Sequence, residues 1–399
     1  MEDTVVPLWF NAFLYLPQDP SVRSGFMEVL PGMYSSAERG SHLHLSTLAV
    51  GCFTLAAWTG QGSLVQASER YFIRALPKIR EALQPGGGSD VNTTLLSIIL
   101  LSIYEEMVAT KDSESPMRAH LRGAIALINE KDSNPMEQTP SQQVFHTIEA
   151  QIIKNSRSFT NPMIPTPIVW PLPHARGPLP KVVLSSIAAE IVRLRQTWER
   201  MLTEPQDETK IKSILRKSIE IDINLVSWTH WLPERWVPTA ATIIPEAVRN
   251  AGMYLNRCDC YADMWIAVTW NTFRDCRILV QRIMLKCLSM AGSLDPDGRR
   301  AIAITQTIHK LADDVCASVP YFLGSQIESV RMKPGLVTYP WSETRPVTQT
   351  HLMSAPLMGP WHLFPFLRNL GDSELGLPPT QYRWIRDQIH RCMVIYFQR

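Results

Sequence analysis

Apolar positions return at helical spacing along most of this chain, most clearly over 261–285, YADMWIAVTWNTFRDCRILVQRIML. There Met264, Trp265, Val268, Phe273, Cys276, Leu279, Val280, Ile283 and Met284 recur with no Gly or Pro between them, which predicts one uninterrupted helix. It is longer than the mean helix and apolar enough to cross the middle of a helical domain. Trp270, Asn271 and Arg274 stand about one turn apart, so polar groups share a surface with a large aromatic.

The rest of the pattern is helical too. A leader over 1–40, broken by Pro7, Pro17, Pro20 and Pro31, predicts short turns at 9–16 and 24–30. Ser41 is positioned to cap a buried helix over 42–58, which Gly60-Gln61-Gly62 ends. An amphipathic helix follows over 64–83, with a kink expected at Pro77. After the QPGGGS loop at 84–89 come helices over 91–108, 117–129 and 146–155. Seven prolines between 161 and 180 predict an extended connector. Helices over 182–202, 210–231, 299–317 and 380–398 complete the set, and 334–365, rich in Pro, Trp and Met, reads as irregular. The expected fold is all-α, one helical body or two packed halves (41–160 and 181–399) joined by the 161–180 connector.

Composition narrows the classes. With 45% hydrophobic and 19% charged residues the chain is globular, and 399 residues suffice for a large core. A net charge of +2, with Lys and Arg scattered among acids, offers no basic stripe for nucleic acid. The acidic start MEDTVVPLWF lacks a secretory n-region, and the run 95–104, about ten residues long, is too short for a bilayer. Seven widely spaced cysteines suggest reduced intracellular thiols. Cys258 and Cys260, one residue apart, do not have zinc-site spacing, so no metal is expected. The three glycines at 86–88 lack the Lys and Ser/Thr of a phosphate cradle. Asp313-Asp314 lacks the further carboxylates that a metal-dependent cyclase needs. His120, opposite Gly123-Ala124, reads as a hydrogen-bonded core histidine.

Candidate chemistry concentrates in aromatics. Trp228, Trp231 and Trp236 fall within nine residues, beside His230 and Glu234. They are either indoles plugging a helix end or the wall of a pocket with a polar handle. A second group, Tyr339, Trp341, Met353, Trp361 and His362, lies in the stretch expected to be irregular.

Four segments carry a family resemblance. Trp270-Asn271-x-x-Arg274-x-x-Arg277-Ile278-Leu279 resembles the central helix of the regulatory, or middle homology, domain of fungal zinc-cluster transcription factors. LSIILLSIYEE at 96–106, followed by His120, Gly123 and Ala124, is similar to a second block of that family. Asp314-x-x-x-Ser318-x-Pro320-Tyr321 resembles a third, and Tyr71, Ala75 and Leu76 a fourth, with Pro77 departing from the pattern. Such a regulator needs a six-cysteine module followed by a basic linker, and this chain has one cysteine before Cys258. Three readings follow. The chain is part of a longer regulator, or a regulator that works without touching DNA, or a regulatory fold recruited as an enzyme.

The third reading is the expectation pursued here, because the chain also resembles stand-alone hetero-Diels–Alderases of fungal tropolone–sesquiterpene biosynthesis. That resemblance implies dehydration of a hydroxymethyl precursor to an o-quinone methide, then stereoselective cycloaddition with a humulene-type sesquiterpene. No cofactor is expected. Holding two partners in a reactive pose supplies effective molarities of about 10⁵ M or more. His230 is the expected acid, and Arg274 or His362 the donor to the diene carbonyl. Trp228, Trp231, Trp236, Trp265, Tyr339, Trp341, Met353 and Trp361 would form the wall, although Arg274 also suits a structural role. The expected partners are small-molecule substrates, with a homodimer left open and neither direct DNA contact nor a membrane. The location is cytoplasmic, or nuclear for a regulator.

Overall fold

Ser41 opens the first long helix as its spacing predicts: its Oγ accepts from the His44 amide at 3.3 Å, and Gly60 ends the helix with φ +73°. The computed structural model describes residues 2–13, 26–84, 90–108, 117–132, 142–157, 179–205, 207–328 and 336–397. Among these the fold is all-α; the only named strands are two two-residue strands. The chain divides into two compact units. Residues 85–89 and 161–178, the expected glycine loop and most of the connector, lie outside the described residues.

The first unit holds α1 (Glu2–Phe13), α2 (Leu30–Ser36), α3 (His42–Thr59), α4 (Gly62–Ala82), α5 (Val91–Val108), α6 (Met117–Asp132) and α7 (Gln142–Arg157) as far as Ile152. Helices α3 and α5 are apolar on nearly every side and form its centre, packed on each other and on α4. Across the two helices His42 Nδ1 and Ser97 Oγ lie 2.9 Å apart. On α5 and α6, His120 Nε2 lies 2.6 Å from Glu105 Oε2. Helix α5 has the length and hydropathy of a membrane span, a longer apolar stretch than the ten residues expected, but 67% of it is buried.

The second unit takes the last turns of α7 from Ile153 and the chain from Trp170 onward. Its helices are α8 (Pro180–Thr203), α9 (Glu208–His230), the short α10 (Glu246–Asn250), α11 (Met264–Met290), α12 (Arg299–Leu323), α13 (Gln349–Leu370) and α14 (Pro379–Phe397). Strands β1 (Thr239–Ala240) and β2 (Asp259–Cys260) pair antiparallel. Helix α11 crosses the middle, against α8, α9, α12 and α13. It begins at Met264 rather than 261, because Asp263 caps it by accepting from the Trp265 amide at 2.7 Å.

The expectation of irregular backbone over 334–365 is corrected: α13 runs through Pro356, Pro360 and Pro365. Three missing amide donors are tolerated because Ala355, Met358, Leu363, Phe366, Leu367 and Leu370 make a continuous buried stripe. Gly359 lets α13 approach α12 so closely that a Cβ there would stand 2.1 Å from the Phe322 carbonyl oxygen.

Helix α14 closes the unit with a buried polar face. Arg391 donates to the carbonyls of Gln326 (2.7 Å), Gly324 (2.7 Å) and Ala251 (3.2 Å), pinning the ends of α12 and α10 to one guanidinium.

Candidate functional site

The α11 motif residues tie the unit together. Arg274 Nη1 donates to Tyr261 Oη at 2.8 Å and to Asn271 Oδ1 at 2.7 Å. Asn271 Nδ2 donates to Ser318 Oγ at 2.9 Å, which donates to the Val315 carbonyl at 2.7 Å. Arg274 Nη2 lies 3.7 Å from Asp259, which Arg257 also grips. Burial raises the pKa of Asp259, and the two guanidiniums oppose that rise. Arg277 holds Asp222 on α9 through two hydrogen bonds, and Trp270 Nε1 donates to the Trp236 carbonyl at 2.7 Å. The Trp-Asn-x-x-Arg-x-x-Arg string is therefore a hub joining α9, α11, α12 and β2. Arg274, expected as a carbonyl donor, spends its Nη1 on this network.

The indoles at 228–236 behave as plugs more than as a wall. Trp228 is buried, with its Nε1 donating to the Pro180 carbonyl at 2.7 Å and its ring stacked on Phe273. Trp236 is buried too. Trp231, by contrast, is 42% exposed just past the end of α9, and His230, the expected acid, is exposed in its last turn. Met353 is 52% exposed. Trp341 forms a two-way backbone bridge with Ile243, both hydrogen bonds 3.0 Å.

Two histidines on α13 stand apart because each keeps a ring nitrogen buried without a hydrogen-bond partner. His351 Nε2 donates to the Tyr321 carbonyl at 3.0 Å. A carbonyl only accepts, so the proton is on Nε2 and the unpartnered Nδ1 is an acceptor. Burial pushes the His351 pKa down to about 4. The buried Tyr339 ring meets it edge-on at 4.6 Å, and the Tyr339 hydroxyl also lacks a partner.

His362 is the second. Its Nε2 is buried and unpartnered. Its ring lies 4.8 Å from Trp265, tilted by 64°. Lys181, at the start of α8, stands 5.5 Å from the Trp265 ring centre, and Lys154, in the last turn of α7, stands 5.5 Å from that of Trp361. Burial first, then these two ammoniums, push the His362 pKa down to about 3, so its imidazole is neutral at physiological pH. Trp265, Trp361 and His362 are thus three expected site residues that the fold does bring together, all within the second unit. The two lysines come from helices remote in sequence, and no spacing or motif announces them.

Buried cysteines contribute no nucleophile. All seven are free and buried, and burial pushes Cys52 to about 11 and Cys260, Cys287, Cys316 and Cys392 to about 12. Among the described residues no three His, Cys, Asp or Glu side chains are grouped to hold a metal ion.

Comparison with known proteins agrees with the motif reading. The family model described as the fungal specific transcription factor domain matches residues 2–163, a stretch that takes in most of the first unit. A curated relative, transcription factor dbaG of Emericella nidulans, is 20% identical over 350 residues, covering 84% of this chain and 77% of that protein. No solved structure matches the chain significantly. The chain is thus similar, over residues 2–163, to the fungal specific transcription factor domain, and over most of its length to a fungal transcription factor.

Proposed function

We propose that the chain is the helical regulatory body of a fungal transcriptional regulator, acting in the nucleus, and that its second unit holds a small-molecule ligand beside His362. The similarity to a transcription factor across 84% of the chain carries the regulator reading. The ligand reading is supported by His362: a buried, neutral imidazole with an open nitrogen costs stability unless something meets it. The test is a deletion strain complemented with the full chain. Transcripts of a discrete gene set should fall in the deletion and recover with wild type, and recover only in part with His362→Ala. An unchanged transcript profile alongside loss of one metabolite would overturn the reading.

That same outcome would favour the second reading, a hetero-Diels–Alderase acting on a quinone methide and a humulene-type sesquiterpene. The cluster of Trp265, Trp361 and His362 favours it, since flat indoles and one neutral N–H suit a conjugated carbonyl. In this arrangement His362 is the donor and not the acid, because an imidazole with a pKa near 3 carries no spare proton at neutral pH. A hydroxymethyl-tropolone precursor and a hydroxylated humulene, followed on a chiral column, test it directly. A product mixture identical to the protein-free control in rate and isomer ratio would exclude these substrates.

A further inference from the structure

Helix α3 is apolar on nearly every side, so each side needs a cover. At Gly51 the cover is α1. Val5 and Trp9, one turn apart on α1, face that glycine. A Cβ at Gly51 would stand 3.3 Å from Val5 Cγ1 and 3.6 Å from Trp9 Cγ, and its three nearest neighbours all belong to α1. Gly51 is thus a notch for two bulky side chains, and Val5, Val6 and Trp9 are all buried. Two further features frame the notch. Phe10 meets the Tyr34 ring of α2 edge-on at 5.9 Å. Glu2 and Asp3, in the first turn of α1, meet donors: Asp3 lies 3.8 Å from Arg39, Glu2 lies 3.8 Å from His44 Nε2, and Tyr71 Oη donates to Glu2 at 3.4 Å. The Gly40 amide donates to His44 Nδ1 at 3.3 Å, so the ring proton is on Nε2, toward Glu2. Arg39 and Arg74 both bear on His44, which makes this end complementary to the two acids.

The polar hold on α1 is light. Asp3 and Arg39 are 90% and 83% exposed, so water screens their pair, and both contacts of Glu2 are long. A helix of 12 residues is marginal by itself, and Pro7 removes one of its donors. A segment with few buried anchors opens locally, below the free energy of global unfolding. We propose that the Gly51 face of α3 is a helix-binding seat, filled in cis by α1, that also takes α1 from a second copy of the chain. Fit fixes the occupant. The notch takes Val5 and Trp9, the Tyr34 ring takes Phe10, and the Arg39–His44 end takes the acidic first turn. Every copy carries that sequence. Exchange trades one set of contacts for an identical set, which is the route by which copies swap an element and dimerise. The proposal concerns the first unit and is independent of the ligand reading of the second.

Complementation between two variants of the full chain tests it. The double variant Val5→Asp/Trp9→Asp leaves the seat open, because its own α1 cannot fill the notch. Gly51→Leu closes the seat and frees an intact α1, and it raises helix propensity in α3 rather than lowering it. Sedimentation velocity should show each variant monomeric alone and a dimer in the equimolar mixture. Two variants that fold, by circular dichroism, and stay monomeric when mixed overturn the proposal. Where either variant fails to fold, hydrogen exchange of the wild-type chain decides. The amides of α1 should exchange at least ~10-fold faster than those of α3 and α5. Amides of α1 that exchange only with global unfolding overturn the proposal, since a helix that never leaves its seat cannot be traded.

Discussion

Two polar clusters in the second unit are built from similar residues and treated oppositely by the fold. Around Arg274, donors and acceptors are matched in a chain from guanidinium to amide to hydroxyl to carbonyl. Around His362, a neutral imidazole keeps one buried nitrogen with no partner, between indoles and under two cations. A satisfied network rigidifies its surroundings, whereas an unsatisfied buried group costs stability and invites a partner. The contrast separates the two kinds of residue that a sequence reading groups together: Arg274 belongs to the scaffold, and His362 to the proposed site.

The largest expected effect comes from breaking the scaffold. Arg274→Ala strips Asp259 of one of its two cations and leaves Asn271 Oδ1 and Tyr261 Oη unpartnered, so urea unfolding should show a loss of about 3–5 kcal/mol. Gly359→Ala drives a Cβ into the Phe322 carbonyl and should cost about 3 kcal/mol, read as a drop in melting temperature.

Acid should expose the α13 histidines. The folded pKa of His351, about 4, lies below the unfolded value of 6.5. Between these values the unfolded chain binds a proton that the folded chain refuses, so stability is full above pH 6.5 and falls as pH drops toward 4. This one group contributes on the order of 3 kcal/mol to the fall. His351→Gln should flatten the slope of unfolding free energy against pH over that window. A slope unchanged in the variant would mean that His351 is not buried neutral.

Smaller effects sharpen the boundary between scaffold and site. Trp228→Phe keeps the packing but loses the bond to the Pro180 carbonyl, at a cost of about 1–3 kcal/mol.

Much of the fold was legible in the sequence because apolar periodicity and caps are local. The helices α3, α5 and α11 follow from stripes of buried residues, and Ser41 and Gly60 from cap chemistry. Helix α13 was not legible: local reading takes Pro356, Pro360 and Pro365 as breakers, whereas close packing at Gly359 and a long buried stripe outweigh them. The proposed site was half legible. Trp265, Trp361 and His362 stand out as aromatic and titratable residues, but Lys154 and Lys181 reach them only through the fold. His230 and Met353 drew attention for their chemistry alone, and the structure leaves both at the surface.

The most direct test of the distinction between scaffold and site is equilibrium urea unfolding of His362→Phe beside wild type. Replacing an unpartnered imidazole with an apolar ring of similar shape removes a buried polar atom that meets nothing. The account predicts unfolding free energy within about 1 kcal/mol of wild type, or higher. A loss above about 2 kcal/mol would contradict it, because His362 would then hold the fold together as Arg274 does.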